Sequence, residues 1–512
     1  MNQRLAVLRS VTIVSISAYI EYGLGLVISV WVARALGPAD FGRYAFTVWL
    51  CRWLIICSNH ALTTSSMKFI AEADGAGRED IASHIASRLN RVQHLSLGLV
   101  VGAFALISFI VKPVEWRMFL GPMIVLSIVA VTARANFAMR VAIAKGQEHF
   151  EPEAIATVLS GVLTVGLVIG ATWVHADLLA FIAIYAVSSL SLNLINRIAY
   201  RKYCLPSVPG SIPTEMSIRL RRHLWLTATL VLITSIKGGT VEMFMLNTFA
   251  TSTAVGFFAI ASTLTRGAVE LFSVGLTATL LPYMAKAFGQ KGQEHAARFL
   301  SEATRFYWAA GIAIAGLGLI TTPGIVTLMY GHKYTEAIPS IITILVLAGL
   351  LLFVNGIVAF QTVVDRQDDR IRLSGRALVV NIVLGILLIP RFGLTGAVLA
   401  YSGTRISELI LAVYYLRRVT SEGIPWSPML RLLAVGVLAT AVSWLVLEVV
   451  PGRYAFVPAG IAFVCVYAPA AVLVRYWTDE DYALLGAIAG RLGMPGRMFM
   501  RGLQMLRVRV AA

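Results

Sequence analysis

The chain has 512 residues, of which 58% are hydrophobic and only 13% charged, about half the charged share of a soluble domain at about 25%. A water-soluble core cannot absorb that much apolar surface, so the bilayer is the main solvent. Lys and Arg total 43 against 26 Asp and Glu, for a net charge of +17. The basic residues sit between apolar stretches and form no basic domain with interleaved aromatics, which excludes nucleic acid as a partner and fits an anionic membrane leaflet instead. The four cysteines, Cys51, Cys57, Cys204 and Cys465, have neither metal-type nor disulfide-type spacing.

Arg4 and Arg9 precede an apolar run from Val11 to Val32. Ala33-Arg34-Ala35 imitates a signal-peptidase site, but the run is about twice the length of a signal h-region and contains Glu21, so it reads as an uncleaved first span. Hydrophobic length and charged punctuation then predict spans near 11-33, 42-66, 94-111, 118-140, 154-174, 178-198, 224-248, 254-284, 305-329, 337-363, 377-390, 394-416, 431-449 and 454-475. The expected fold is an all-α polytopic membrane protein with about 14 transmembrane helices.

With the N-terminus inside, the inside loops and tails hold about 31 of the Lys and Arg and the outside loops about 7. That bias supports an even number of spans with both termini cytoplasmic. An internal repeat runs through the chain: Phe41-Gly42-Arg43-Tyr44-Ala45 resembles Val255-Gly256-Phe257-Phe258-Ala259, and the register pairs Arg52 with Arg266. The same spacing roughly maps Ala144-Lys145-Gly146-Gln147-Glu148 onto Val364-Asp365-Arg366-Gln367-Asp368. Six helices per unit is an even number, so the two halves enter the membrane in the same sense. The division expected is an N-terminal six-helix lobe at 1-205, a cytoplasmic linker at 206-222 with Pro206, Pro209 and Pro213, and a C-terminal six-helix lobe at 223-418. Helices 13 and 14 follow at 429-477, outside the repeat.

The tail, 478-512, opens on Thr478-Asp479-Glu480-Asp481. Thr478 is placed to cap a helix, with carboxylates at the positive end of its dipole. Beyond it Arg491, Arg497, Arg501, Arg507 and Arg509 alternate with Leu492, Met498, Leu503 and Leu506, the pattern of a basic amphipathic helix on the cytoplasmic leaflet or of a frayed basic tail. Catalytic signatures are missing: there is no phosphate-binding loop ending in Gly-Lys-Ser/Thr, no GxSxG, no HExxH and no CxxC. The expectation is a protein that is not an enzyme and needs neither cofactor nor metal.

Ionisable side chains at bilayer depth cost at least about 2.5 to 3.5 kcal/mol each, so they face protein or a wet cavity and point to function. The set comprises Glu21, Arg52, Arg134, Lys237, Glu242, Arg266 with Glu270, and Arg405 with Glu408. The last two pairs are four and three residues apart, and each has a neighbour to neutralise it. Arg134 has a stem long enough to extend toward the cytoplasm. Arg52 has no acid three or four residues away, and its repeat equivalent Arg266 sits at matching depth. Guanidiniums stay charged and hold phosphate oxygens bidentately, so Arg52 and Arg266, with Arg134, are the expected substrate-binding residues. Glu21, Lys237, Glu242 and Glu270 are the expected coupling or gating residues, with a Glu21-Lys237 contact as a protonation-sensitive latch. Trp31 and Trp49 are as readily explained by interfacial anchoring as by sugar stacking.

The segment Ala35-Leu36-Gly37-Pro38-Ala39-Asp40-Phe41-Gly42-Arg43-Tyr44, between the first two of fourteen spans, resembles the polysaccharide transporter branch of the multidrug/oligosaccharidyl-lipid/polysaccharide (MOP) flippase superfamily. Within it the chain is most similar to the O-antigen and exopolysaccharide flippases called Wzx, over residues 5 to 475. The resemblance implies two six-helix lobes around a cationic cavity that opens alternately to each side of a bacterial inner membrane. It further implies a lipid-linked oligosaccharide substrate on undecaprenyl pyrophosphate, and partners among membrane lipids, a polysaccharide polymerase and chain-length machinery. Related peptidoglycan-precursor flippases carry cavity arginines on helices one, two and eight; Arg52 and Arg266 match the second and eighth, while helix one carries Glu21. Two alternatives stand beside this: a cation-coupled multidrug antiporter of the same superfamily, which would use Glu21, Glu242 and Glu270, and a membrane glycosyltransferase or polymerase.

Overall fold

The computed structural model describes residues 2–113, 116, 119–204, 208–237, 239–364, 366–420, 424–478 and 481. Its regular structure among these residues is helical throughout. Ten helices are long and apolar enough to cross a membrane, and a bent pair makes an eleventh. Two of the ten run through a backbone break and so cover two predicted spans each. The chain is a multi-pass membrane protein, and it forms two compact units, Met1–Ala259 and Ile260–Ala512.

In the first unit, α1 (Asn2–Gly75) is interrupted at Gly37, whose φ of 73° and ψ of 174° leave the helical region. Pro38 follows and supplies no backbone N–H, so the i→i−4 ladder is lost at the boundary between the first two predicted spans. Then come α2 (Glu79–Val111), α3 (Leu120–Gly146), α4 (Glu151–Trp173) and α5 (Leu178–Tyr203). Asp177 caps α5, its carboxylate accepting from the Ala180 N–H at 3.0 Å. The charged first half of α2 was outside the predicted span at 94-111 yet is helical. Ile81, Ile85 and Leu89 recur every four residues and bury themselves with Phe69, Ile70 and Ile143.

Helices α6 (Thr214–Lys237) and α7 (Thr240–Phe249) meet at 54°, so the predicted span 224-248 is bent rather than straight. Gly239, at φ 83°, marks the break. Helical structure thus begins at Thr214, inside the expected 206-222 linker, and Val208 and Ser211 ahead of it are bonded to α2. The Val208 N–H donates to Ser83 Oγ at 2.7 Å, and the His84 ring meets the Ser211 carbonyl at 3.1 Å. Helix α8 (Ser252–Thr265) begins in this unit and runs on into the second. It crosses α1 backbone to backbone: a Cβ added to Gly42 would lie 1.7 Å from the Ser252 carbonyl oxygen, and one added to Gly256 would lie 2.7 Å from that of Pro38. The two glycines that the repeat aligns are therefore in contact, and neither position has room for a side chain.

In the second unit a π-helical segment, Arg266–Glu270, interrupts the predicted span 254-284 and leads into α9 (Leu271–Met329). A 3₁₀ turn, His332–Ala337, then precedes α10 (Ile338–Leu350) and α11 (Val354–Val363), so the predicted span 337-363 is two short helices. Helix α12 (Gln367–Val419) repeats the device of α1, with Pro390 ahead of a non-helical Gly393 that separates two predicted spans. Helices α13 (Trp426–Val449) and α14 (Phe456–Leu473) follow. Thr478 and Asp481 then form a reciprocal cap: the Thr478 N–H and hydroxyl both donate to Asp481 Oδ2 at 2.8 Å, and the Asp481 N–H donates to Thr478 Oγ1 at 3.4 Å. Arg305 of α9 faces the same carboxylate at 3.6 Å. Asp481 is thereby engaged as a helix start. The basic pattern from Arg491 onward lies outside the described residues.

Candidate functional site

Helix α3 carries three cations on the way to its C-terminus, Arg134, Arg140 and Lys145. Arg134 stands fourteen residues into the helix, about 21 Å from its start at 1.5 Å per residue and so well inside hydrocarbon. Its Nε donates to Ser189 Oγ at 2.8 Å, and its guanidinium lies over the Tyr185 ring, 4.7 Å from the centroid. Ser189 in turn donates to the Tyr185 carbonyl at 2.7 Å, which fixes the hydroxyl with its lone pair toward the arginine. Arg134 is thus held against the middle of α5 and does not run along its own helix toward the end. Tyr185 also feels the charge of Arg52 on α1 through space.

Glu21 belongs to the same face. It is exposed, and the charges acting on it are those of Glu153, Arg134 and Lys145. Arg134 and Lys145 are eleven residues apart, about 16 Å along α3 and nearly in line around it. Glu21 thus feels charges spread along the length of α3. Arg140, on the intervening turns, donates from Nη2 to Asn193 Oδ1 of α5, and Lys145 pairs with Glu153 of α4 at 2.7 Å. Arg52 is exposed as well. The exposed part of a charged side chain at this depth requires water rather than lipid around it.

On the neighbouring face of α1, Trp53 donates from Nε1 to Thr240 Oγ1 of α7 at 3.0 Å. Thr240 passes its own proton to the Ser235 carbonyl at 3.0 Å, so this pair bridges the bend between α6 and α7. Glu242 is fully buried in the first turn of α7. The side chain of Lys237 lies outside the described residues, and the expected Glu21-Lys237 contact lies there with it.

In the second unit Arg266 is exposed at the first position of the π-helical segment. Such turns are rare and concentrate at functional positions, because the extra residue re-aims the side chains that follow. Glu270 ends the segment, and its side chain lies outside the described residues. Arg405 is different: its Nη1 donates to Glu408 Oε2 at 3.0 Å, its Nε to the Tyr401 hydroxyl at 3.2 Å, and Glu408 is buried. This is the internal neutralisation that the three-residue spacing predicts.

Sequence reading missed Tyr185, Ser189 and Asn193, and it overlooked Arg140, Lys145 and Glu153. The first three stand at i, i+4 and i+8 on one face of α5, a polar stripe legible in an otherwise apolar helix. A search restricted to charges passes over it. No group of His, Cys, Asp or Glu among the described residues is arranged to hold a metal ion.

Helix order and paired backbone breaks give a fold that solved membrane transporters share. The fold matches that of the Lipid II flippase MurJ in its inward closed conformation, with a TM-score of 0.70 over 90% of this chain and 98% of that one at 15% identity. It also matches an inward-facing multidrug resistance MATE family transporter of the MOP superfamily (TM-score 0.64, 15% identity, 80% and 98% covered). A mutant of the Vibrio cholerae MATE transporter VcmN follows at TM-score 0.53 and 13% identity, with 82% and 99% covered. The sequence profile of the family described as "Polysaccharide biosynthesis protein" matches residues 7–288, just over half of the chain, and the chain belongs to that family. No curated protein matches it.

Proposed function

We propose that this protein is a flippase that moves a polyprenyl-pyrophosphate-linked oligosaccharide, the repeat unit of a surface polysaccharide, from the cytoplasmic to the periplasmic leaflet of a bacterial inner membrane by alternating access. The observation that carries the proposal is the way Arg134 is held. Its hydrogen bond and ring contact are to neutral groups, so its charge is positioned without being cancelled by a bonded carboxylate. An anionic head group gains charge-assisted hydrogen bonds there, while its polyprenyl tail stays in lipid. Arg140 and Arg134 give a cationic path into the membrane along α3, and Arg52 joins it from α1; Arg266 is the repeat equivalent of Arg52 in the second unit. Glu21 competes with the head group for Arg134 and Lys145, which suits a group that helps release the cargo. No bond is made or broken, so neither catalytic residue nor cofactor is required. A polymerase and chain-length machinery would receive the cargo.

The test is deletion of the gene followed by extraction of polyprenyl-linked sugars. Accumulation of the complete lipid-linked unit on the cytoplasmic face supports a flippase; failure to make it at all points to an enzyme of its synthesis and sinks the proposal. Arg52→Ala and Arg266→Ala are each expected to insert normally and to lose export. A multidrug antiporter, whose fold the chain shares, would instead retain polysaccharide export and lose drug resistance when Glu21 or Glu242 is neutralised.

A further inference from the structure

Beside the cationic path, α1 presents Phe46, Trp49 and Trp53, spaced three and four residues apart on one face. Phe46 and Trp49 are stacked, with centroids 5.3 Å apart and planes at 27°, and Trp49 and Trp53 are 6.4 Å apart and tilted. Trp53 is turned into the protein by its bond to Thr240. At about 100° per residue, Trp49 lies about 40° from Trp53 and about 60° from Arg52 around the helix. It stands between a side chain bonded to α7 and a guanidinium that lipid would not tolerate, which keeps it on the protein side of α1.

Interfacial anchoring, the ordinary use of tryptophan in membranes, does not account for this position. Trp49 is seven residues inside the predicted span 42-66, about 10 Å along the helix and deeper than the headgroup level at which interfacial aromatics sit. An aromatic wall next to a phosphate-binding cation is the shape of a different ligand. A pyranose has an apolar C–H face that lies on an indole, and the sugar directly attached to a pyrophosphate is held within a few ångströms of its charge. Residues three apart on a helix have Cβ atoms about 5–6 Å apart, which matches that separation.

Resting on the flippase reading above, we propose that Trp49, braced by Phe46 and Trp53, is the stacking platform for the first pyranose ring of the cargo. The first unit then selects for a sugar as well as for negative charge. The protein in lipid nanodiscs is titrated with undecaprenyl pyrophosphate and with the same lipid bearing one N-acetylhexosamine, bound fractions being read by native mass spectrometry. Trp49→Leu is expected to weaken the glycosylated lipid about tenfold and to leave the sugar-free lipid unchanged. Trp49→Phe, which keeps a ring in the same packing, recovers most of the difference, and Arg52→Ala weakens both lipids alike. Equal weakening of both lipids by Trp49→Leu, or of neither, overturns the stacking role while the flippase reading stands. If the wild type binds neither lipid, both fall.

Discussion

Arg134 in the first unit and Arg405 in the second sit in comparable chemical settings. Each is partly covered, each lies over a tyrosine ring, and each donates from Nε to a hydroxyl. The difference is one residue: Arg405 has Glu408 a turn away at 3.0 Å, whereas among the described residues Arg134 is bonded to neutral groups and feels Glu21 through space. A guanidinium closed on a carboxylate is part of the packing. One held by a hydroxyl and a ring keeps its field available to an anion. Depth and residue type do not separate a structural arginine from a functional one; the charge of its bonded partner does.

The largest effect that would test this contrast is on the paired side. Glu408→Ala leaves a partly covered Arg405 without its bonded carboxylate and should cost about 1.5–3 kcal/mol of stability, seen as a lower melting temperature in detergent and reduced insertion. Arg134→Ala should behave oppositely, with little change in melting temperature and export or head-group binding reduced about 10- to 100-fold, the value of one or two charge-assisted hydrogen bonds. If Arg134→Ala instead unfolds the protein and leaves binding in the surviving fraction intact, the two arginines are alike and the comparison fails. Ser189→Ala removes only the orienting hydroxyl. It should cost about 1 kcal/mol, and its signature is weaker binding that Ser189→Thr restores. The smallest effect expected is from replacing Arg405 and Glu408 together by Met and Leu. A buried pair exchanged for apolar groups of similar volume is often neutral, so stability and export should both stay near wild type; loss of export with retained stability would make Arg405 a functional residue after all.

Much of the fold was legible before any coordinates because membrane insertion is governed by hydropathy along a single segment. Each of the fourteen apolar segments coincides with a helix or a run of helices, and Gly37-Pro38 announced its own break. Extramembrane helix was harder to see. The first half of α2 is too charged to look like a span, and it folds because Ile81, Ile85 and Leu89 meet Phe69 and Ile70 of α1, a contact that no local window contains. The pairing of Gly42 with Gly256 was visible only as a repeat; that the two touch depends on α8 crossing α1.

What the sequence determined by itself is which segments lie in the bilayer and which charges are stranded there, since both follow from the cost of moving a residue out of water. Tertiary structure decided what each stranded charge meets. Arg405 and Glu408 could have found each other from spacing alone, but Arg134 takes its partners, Tyr185 and Ser189, from another helix fifty-odd residues away. Glu21 likewise takes its neighbours from α3 and α4. Electrostatic function in a low-dielectric interior is set by the few groups within a few ångströms, and only the packing of helices against one another fixes which groups those are.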